Sequence, residues 1–209
     1  IKMFNLYLDC LIFRTNQHNK LKITSEYFDK PVINALSEIS HPCQILSDYL
    51  TLKEIFNKEN LIISWFGDTN NVLYSLIELA TILDEITVNV FTNNKILEDN
   101  FSINKLKNIH LKNEICKETI KKSDCIMTDV YNSMNDEFSQ TKKDLLLPFQ
   151  VNSEIMSYTK DDSVFMHCLP ANVGEEVTEE VINSNKSVVL KQAYNRKVLQ
   201  KGLISWLGI

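Results

Sequence analysis

The chain has 209 residues and a mass of 24.2 kDa, and 44% of its residues are hydrophobic, enough to fill the core of one large domain or two small ones. Its formal net charge is -5 at pH 7 without a dense lysine and arginine stripe, which argues against nucleic-acid and membrane-surface partners. No apolar run approaches the roughly 18 residues that a membrane span needs. A small molecule is the expected partner.

The opening stretch IKMFNLYLDCLIF (1–13) is apolar enough to imitate a signal sequence. Asn5 and Asp9 interrupt it, and no small-residue cleavage site follows, so it predicts a helix end running into a strand. Short apolar runs with polar boundaries predict buried strands at 10–13, 61–66, 87–91, 109–111, 125–130, 164–169 and 187–190.

Helical patterns lie between these runs, at 41–56, 53–60, 71–83, 115–123, 151–159 and 193–209. Strands that alternate with helices predict an α/β protein with mostly parallel sheets flanked by helices. With only 4 glycines and neither GxGxxG nor GxxxxGK[ST], the sheet is not expected to hold a dinucleotide or a nucleoside triphosphate.

The cysteines indicate a reducing compartment, either a cytoplasm or, in a eukaryote, a mitochondrial matrix. They number five, form no CxxC pair and are scattered through apolar segments, so they fit neither a disulfide framework nor a zinc site. They are Cys10, Cys43, Cys116, Cys125 and Cys168.

Polar residues follow four of the predicted strands, where parallel sheets bind ligands. They are Arg14, the segment 67–71, Asp129 with Ser133–Met134, and the segment 167–170. Each cluster alone also fits a structural role. Arg14 fits a surface charge, 67–71 a turn and helix cap, Asp129 a cap of the segment after it, and 167–170 core residues with satisfied hydrogen bonds. HPCQ (41–44) adds two polar side chains at the start of an amphipathic helix, with Pro42 in its first turn.

In chain order, HPCQ, FGDTNN, TDVYNSM, MHCLP and AYNR resemble the motifs of the ornithine carbamoyltransferases, which read HPxQ, GD…NN, TDxW…SMG, HCLP and AENR. The resemblance runs from about Asp9 to the end of the chain. It implies a two-domain architecture whose first domain is incomplete: a partial carbamoyl-phosphate domain (1–56), an ornithine domain (57–190) and a final helix (191–209) that returns to the first domain. It also implies a homotrimer and a role in arginine biosynthesis or the urea cycle.

The implied reaction transfers the carbamoyl group of carbamoyl phosphate to the δ-amine of ornithine, giving citrulline and phosphate. By this resemblance, carbamoyl phosphate meets Arg14, His41, Gln44, Cys168, Leu169 and Arg196. The resemblance places ornithine against Asn71, Asp129, Ser133 and Met134. The catalytic residues are then His41, Asp129, Cys168 and Arg14, and neither a metal nor an organic cofactor is expected.

Three departures from the family pattern leave alternatives open. No Ser-x-Arg-Thr phosphate loop precedes Arg14, so the chain is expected to lack part of the first domain. Asn135 stands for the glycine of SMG, and Tyr194 stands for the acid of AENR. The alternatives are an inactive carbamoyltransferase-like fragment or remnant, and a carbamoyltransferase for another amine.

Overall fold

The computed structural model describes residues 1–96, 106–132 and 139–209. It has a two-stranded and a five-stranded sheet, and every strand pair in them is parallel, as the sequence predicts. The smaller sheet pairs β1 (Leu11–Arg14) with β2 (Val32–Leu36). The larger sheet has the order β5-β4-β3-β6-β7, with strands β3 (Leu61–Phe66), β4 (Ile86–Phe91), β5 (Ile109–Lys112), β6 (Cys125–Thr128) and β7 (Val164–His167).

Helices flank both sheets. The described helices are α1 (Phe4–Tyr7), α2 (His18–Tyr27), α3 (Pro42–Ile55), α4 (Asn71–Ile82), α5 (Lys117–Ile120), α6 (Gln140–Leu146), a 3-10 turn (Leu147–Phe149), α7 (Ser153–Ser157), α8 (Glu179–Ile182) and α9 (Val189–Trp206). Helix α3 packs against both α4 and α9. Within the described ranges, every helix is too short or too polar to serve as a membrane span.

One predicted strand is wrong. The run 187–190 contributes a single isolated bridge, between Ser187 and Phe165, and α9 already begins at Val189. The apolar run is explained by burial of Val189 in the cluster that also contains Phe165, since such a run suits a buried helix start as well as a strand. Strand β2 was not among the predicted strands, and its residues are half-buried.

The larger sheet brings the carboxyl ends of three strands together. Phe66 at the end of β3 lies opposite Thr128 of β6, and Thr128 lies opposite His167 of β7. Thr128 Oγ1 also donates to the Phe66 carbonyl (2.6 Å). The segments that follow these strands therefore share one edge, which is where parallel sheets bind ligands.

Gly67 is the residue that lets the chain turn at this edge. Its φ is +108°, and a Cβ there would lie 2.8 Å from Cε1 of Tyr131, so a larger residue would be both strained and in collision. Three residues later, Asn70 caps α4 by accepting from the backbone N–H groups of Val72 (3.0 Å) and Leu73 (3.2 Å). The turn and the cap together set the direction in which α4 leaves the sheet.

Asp124 lies at the opposite, amino-terminal edge of the larger sheet, where its side chain links three neighbouring residues. Its replacement by alanine is expected to destabilise the fold. Its buried carboxylate accepts from the backbone N–H of Ile62 (2.9 Å) and pairs with Lys58 (2.5 Å) and with Lys160. Asp124→Ala removes all three contacts, although both lysines can still reach water. We expect a loss of about 2 to 3 kcal/mol in the free energy of unfolding, measured with urea.

The matched control for this prediction is Asp162→Ala, which removes an exposed carboxylate from the neighbouring turn. We expect it to change the free energy of unfolding by less than about 0.5 kcal/mol. Equal stabilities of the two variants would contradict the role given to Asp124.

Candidate active site

His41 stands immediately before α3 and is almost completely buried. Its backbone N–H donates to Ser75 Oγ on α4 (2.7 Å), which ties the start of α3 to α4. Its ring nitrogen Nδ1 is buried and has no hydrogen-bond partner among the described residues. Gln44, one turn later, is fully buried, and its Oε1 likewise lacks a partner there. Two polar atoms at one helix start are thus left for a ligand to satisfy.

Burial, and next the positive charges of Arg196 and Arg14, lower the pKa of His41 to about 4. The imidazole is therefore neutral near pH 7, with one nitrogen as a donor and the other as an acceptor. Both arginines line a cavity of about 210 Å³ that also touches Cys43 in the first turn of α3. The structure thus brings Arg14, Arg196, His41 and Gln44 together.

A single carboxylate connects this helix start to the end of β7. Asp48 Oδ1 accepts from Gln44 Nε2 (2.7 Å) and from Gln192 Nε2 of α9 (2.8 Å). Gln192 Oε1 in turn accepts from the backbone N–H of His167 (2.9 Å), the last residue of β7. All four of these residues are buried.

Burial raises the pKa of Asp48 to about 7, against the opposing effect of the hydrogen bonds from Gln192 and Gln44. The charge of Arg196 also lowers this pKa, and that of Asp129 raises it. A proton on this group has a place at Oδ2, which has no hydrogen-bond partner among the described residues. Oδ1 can accept both amide bonds in either protonation state.

Asp129 follows β6 and collects contacts from two neighbouring strand ends. Its Oδ2 accepts from Asn70 Nδ2 (2.7 Å), and its Oδ1 accepts from the Cys168 thiol (2.9 Å) and from the backbone N–H of Val130 (2.8 Å). Asp129 is 6% exposed. The three segments 67–71, 128–131 and 167–170 therefore meet at this carboxylate.

Burial, and next the charge of Asp129, raises the pKa of Cys168 well above its ordinary value. The thiol is thus held in its neutral form near pH 7. Leu169, the next residue, has a φ of +55°, and the Leu169–Pro170 peptide bond is cis. His167 Nδ1 accepts from the backbone N–H of Leu169 (2.9 Å), which ties this unusual turn to the strand end.

The remaining predicted ornithine ligands are placed as follows. Asn71 is the first residue of α4, and its Nδ2 donates to the Ser37 carbonyl (2.7 Å) just after β2, so it bridges the two sheets. Its neighbour Asn70 is the residue that contacts Asp129. Ser133 and Met134, and also Asn135, lie outside the described residues.

Three residues of this network were not among the candidates from the sequence: Asp48, Gln192 and Asn70. Asp48 had a detectable signal, because a residue four positions after Gln44 lies on the same face of a helix. Gln192 directly precedes the AYNR motif, but no local pattern indicates that it reaches α3. Asn70 was quoted as part of GDTNN without a role of its own.

Asp129, His167 and Cys168 offer three potential metal-ligand atoms within 4.8 Å of one another. Hydrogen bonds already occupy these groups. His167 Nε2 faces Glu176 Oε1 (3.1 Å) while Nδ1 accepts from Leu169, and the Cys168 thiol donates to Asp129. The cluster is therefore explained as a hydrogen-bonded turn, and we assign no ion to it.

The fold and the site define a parallel α/β protein with two arginines and two buried polar atoms, unpartnered within the described part of the chain, gathered at a helix start. The chain belongs to the aspartate/ornithine carbamoyltransferase family. The family's Asp/Orn binding domain matches residues 59–207, and its carbamoyl-P binding domain matches residues 1–54.

Curated relatives and solved structures agree with this assignment. The chain is 37% identical over 210 residues to the ornithine carbamoyltransferase of Rhodopseudomonas palustris, covering 98% of this chain and 67% of that protein. The Rhizobium meliloti ornithine carbamoyltransferase is 36% identical and is covered to 69%. The ornithine carbamoyltransferase structure from Pyrococcus furiosus has a TM-score of 0.89 at 36% identity, covering 98% of this chain and 68% of that one. The Thermus thermophilus structure has a TM-score of 0.88 at 33% identity, with coverages of 99% and 69%.

Replacement of Asp48 by asparagine is expected to change the pH dependence of stability. The native pKa of about 7 lies above the model-compound value of 3.8, so the stability that this group contributes is complete below about pH 4 and is lost as the pH rises through 7. Asp48→Asn cannot titrate. Its stability relative to the wild type should therefore rise by roughly 3 to 4 kcal/mol between pH 4 and pH 8.

Urea unfolding of both proteins across this range measures the difference. A difference that stays constant with pH would show that Asp48 keeps an ordinary pKa in the fold. Asp162→Asn serves as the control, since it makes the same substitution at an exposed residue.

Cys168 and Cys116 are expected to differ in reactivity. The hydrogen bond from Thr119 Oγ1 to Cys116 Sγ (3.2 Å), together with the Thr119 backbone N–H, lowers the pKa of Cys116, whereas burial raises that of Cys168. At pH 8 we expect iodoacetamide to alkylate Cys116 on the order of tenfold faster than Cys168 in the folded protein. Peptide mass spectrometry over time gives both rates.

Asp129→Asn removes the carboxylate that faces the Cys168 thiol and should narrow the gap between the two rates. Labelling of Cys168 as fast as Cys116 in the wild type would contradict the burial and charge assigned to it.

Proposed function

We propose that this chain transfers the carbamoyl group of carbamoyl phosphate to the δ-amine of ornithine, giving citrulline and phosphate. The observation that carries this proposal is the start of α3. There, two buried polar atoms without partners among the described residues, His41 Nδ1 and Gln44 Oε1, lie near two arginines. This arrangement suits a small ligand that carries a phosphate, a carbonyl and an amide.

Carbamoyl phosphate is proposed to bind with its phosphate toward Arg14 and Arg196, whose planar guanidinium groups pair well with phosphate oxygens. The N-terminus of α3, a helix of 14 residues, adds favourable dipole charge. The neutral His41 donates to the carbonyl oxygen, where negative charge develops as the carbon becomes tetrahedral. Gln44 Oε1 accepts from the carbamoyl NH2 group.

Ornithine is proposed to bind with its α-amino end at Asn71 and Asp129 and its carboxylate near Ser133 and Met134. Its δ-amine then lies beside Cys168 and the Leu169 carbonyl. This amine has a lysine-like pKa of about 10.4 and must lose a proton before it attacks. Because the Cys168 thiol stays neutral, it acts by position and by its hydrogen bond to Asp129, not as a thiolate.

In the transfer step, the δ-nitrogen forms a bond to the carbamoyl carbon. The bond from that carbon to the bridging phosphate oxygen then breaks, phosphate leaves with the electron pair, and the leaving phosphate takes up the proton that the δ-nitrogen loses. Arg14 and Arg196 neutralise the charge on the leaving group. Placing the two substrates side by side supplies a further part of the rate enhancement.

We also propose the domain division 1–56, 57–190 and 191–209, a homotrimeric assembly, a cytoplasmic location (the mitochondrial matrix in a eukaryote) and a role in arginine biosynthesis or the urea cycle. The family matches to 1–54 and 59–207 support the first boundary. The packing of α9 on α3 supports a final helix that returns to the first domain.

A second candidate function is a carbamoyltransferase-like protein that binds its ligands without turnover or acts on another amine. Asn135 and Tyr194, which depart from the family motifs SMG and AENR, favour it. Comparing ornithine with putrescine and acetylated ornithine as acceptors tests the identity of the amine.

The test of the proposed function is citrulline formation from carbamoyl phosphate and ornithine. We expect the wild type to be active and His41→Ala to lose on the order of 100-fold or more in kcat, because a donor to the developing oxyanion is removed. His110→Ala is the matched control, since His110 is exposed on β5, and it should keep full activity.

Carbamoyl phosphate binding, measured by calorimetry, distinguishes the remaining outcomes. Binding without citrulline formation would support the second candidate. Neither binding nor turnover would contradict both.

A further inference from the structure

Asp48 lies between the two halves of the site, hydrogen-bonded to Gln44 on one side and to Gln192 on the other. It lies in the middle of α3, four residues after Gln44, and is only 3% exposed. Its Oδ1 receives one hydrogen bond from its own helix and one from Gln192, which is 144 residues away in the sequence. Its other oxygen has no partner among the described residues.

The two glutamines that meet at Asp48 have amide groups whose ends are nearly equal in shape. An amide can therefore sit in a pocket in two orientations, and only its hydrogen-bond partners decide between them. Oδ1 can only accept hydrogen bonds. It favours the orientation in which each Nε2 faces Asp48, because the reverse would oppose two acceptor oxygens.

The orientation of Gln44 decides what it presents to a ligand. With Nε2 on Asp48, Oε1 is the end left over, and it is buried without a partner among the described residues. A buried acceptor of this kind is satisfied by a ligand that brings an N–H group. A reversed amide would present a donor instead and would oppose the donor groups of a carbamoyl NH2.

The orientation of the Gln192 amide determines a hydrogen bond at the end of β7, on the other side of the site. With its Nε2 on Asp48, Gln192 Oε1 points to the backbone N–H of His167 and accepts from it at 2.9 Å. His167 immediately precedes Cys168, whose thiol contacts Asp129. One carboxylate oxygen thus connects Gln44 to the end of β7 through a continuous chain of hydrogen bonds.

We propose that Asp48 is a positioning residue of the transfer reaction: its Oδ1 orients Gln44 toward the carbamoyl amide and, through Gln192, holds the end of β7 that carries Cys168. This inference rests on the proposed function, since it assigns a task to Gln44 and Cys168. Asp48 itself does not touch the reacting atoms.

A neighbouring hydrogen-bonded contact provides a control that distinguishes this positioning role from the simple attachment of α9 to α3. One turn further on, Asn195 Nδ2 donates to Thr51 Oγ1 (3.0 Å) and to Glu54 Oε2 (2.9 Å). This second contact joins the same two helices without touching Gln44 or His167. Asn195→Ala is therefore the matched control for loss of a buried polar contact between α3 and α9.

The kinetic experiment compares Asp48→Leu, Asp48→Asn and Asn195→Ala in citrulline formation. Asp48→Leu keeps the branched shape and the number of heavy side-chain atoms but has no acceptor, and we expect kcat/KM for carbamoyl phosphate to fall on the order of 100-fold. Asp48→Asn keeps an acceptor oxygen for both glutamines and should stay within about threefold of the wild type, since it preserves the orientation. Asn195→Ala should lower stability but leave kcat/KM within the same range.

A second readout does not depend on turnover. In ¹H–¹⁵N spectra, the side-chain NH2 groups of Gln44 and Gln192 should exchange slowly with solvent in the wild type and in Asp48→Asn. In Asp48→Leu, both should exchange on the order of tenfold faster or more, because their acceptor is gone. Gln192→Leu should keep the protection of Gln44 while lowering kcat, which also provides a test if Asp48→Leu does not fold.

Two results would overturn the proposal: Asp48→Leu with wild-type kinetics and amide protection, or Asp48→Asn as impaired as Asp48→Leu in both readouts. A wild-type chain that forms no citrulline would instead count against the proposed function. The amide exchange rates would then still show whether Asp48 orients the two glutamines.

Discussion

The packing of α3 against α9 is the contact on which the arrangement of the site depends. It joins segments 144 residues apart through buried hydrogen bonds, between Asp48 and Gln192 and between Thr51 and Asn195. Buried polar contacts of this kind give little net stability, but they accept only one alignment of the two helices, because a shift would leave buried groups unpaired. The positions of Arg196 and of the α3 N-terminus are set by the same alignment.

The electrostatics of the site follow from this alignment. Burial, and next the charges of Arg196 and Arg14, make protonation of His41 unfavourable, so the charges that suit an anionic phosphate also help to keep the imidazole neutral. On the other side, burial and next the Asp129 carboxylate raise the pKa of Cys168 and keep its thiol neutral. His41 and Cys168 are thus both uncharged near pH 7.

Much of the fold could be predicted from the sequence, because buried parallel strands appear as short apolar runs and α4 appears as an apolar helix with an asparagine cap. The error at 187–190 shows the limit of that signal: an apolar run reports burial, and burial alone does not separate a strand from the first turn of a buried helix. Family motifs brought His41, Gln44, Asp129 and Cys168 forward as candidates. They did not indicate Asp48.

The sequence by itself determined the α/β class, the strand ends that carry polar residues, and the family, since each of these is written in local patterns and motifs. Only the tertiary structure decided which of those residues meet. Gln192 reaches Asp48, Asn70 reaches Asp129, and Asn71 reaches the loop after β2 because strand order and helix packing place them there. Long-range pairing of buried polar atoms has no local signature, because each partner alone is an ordinary polar residue and only the packed fold removes its water.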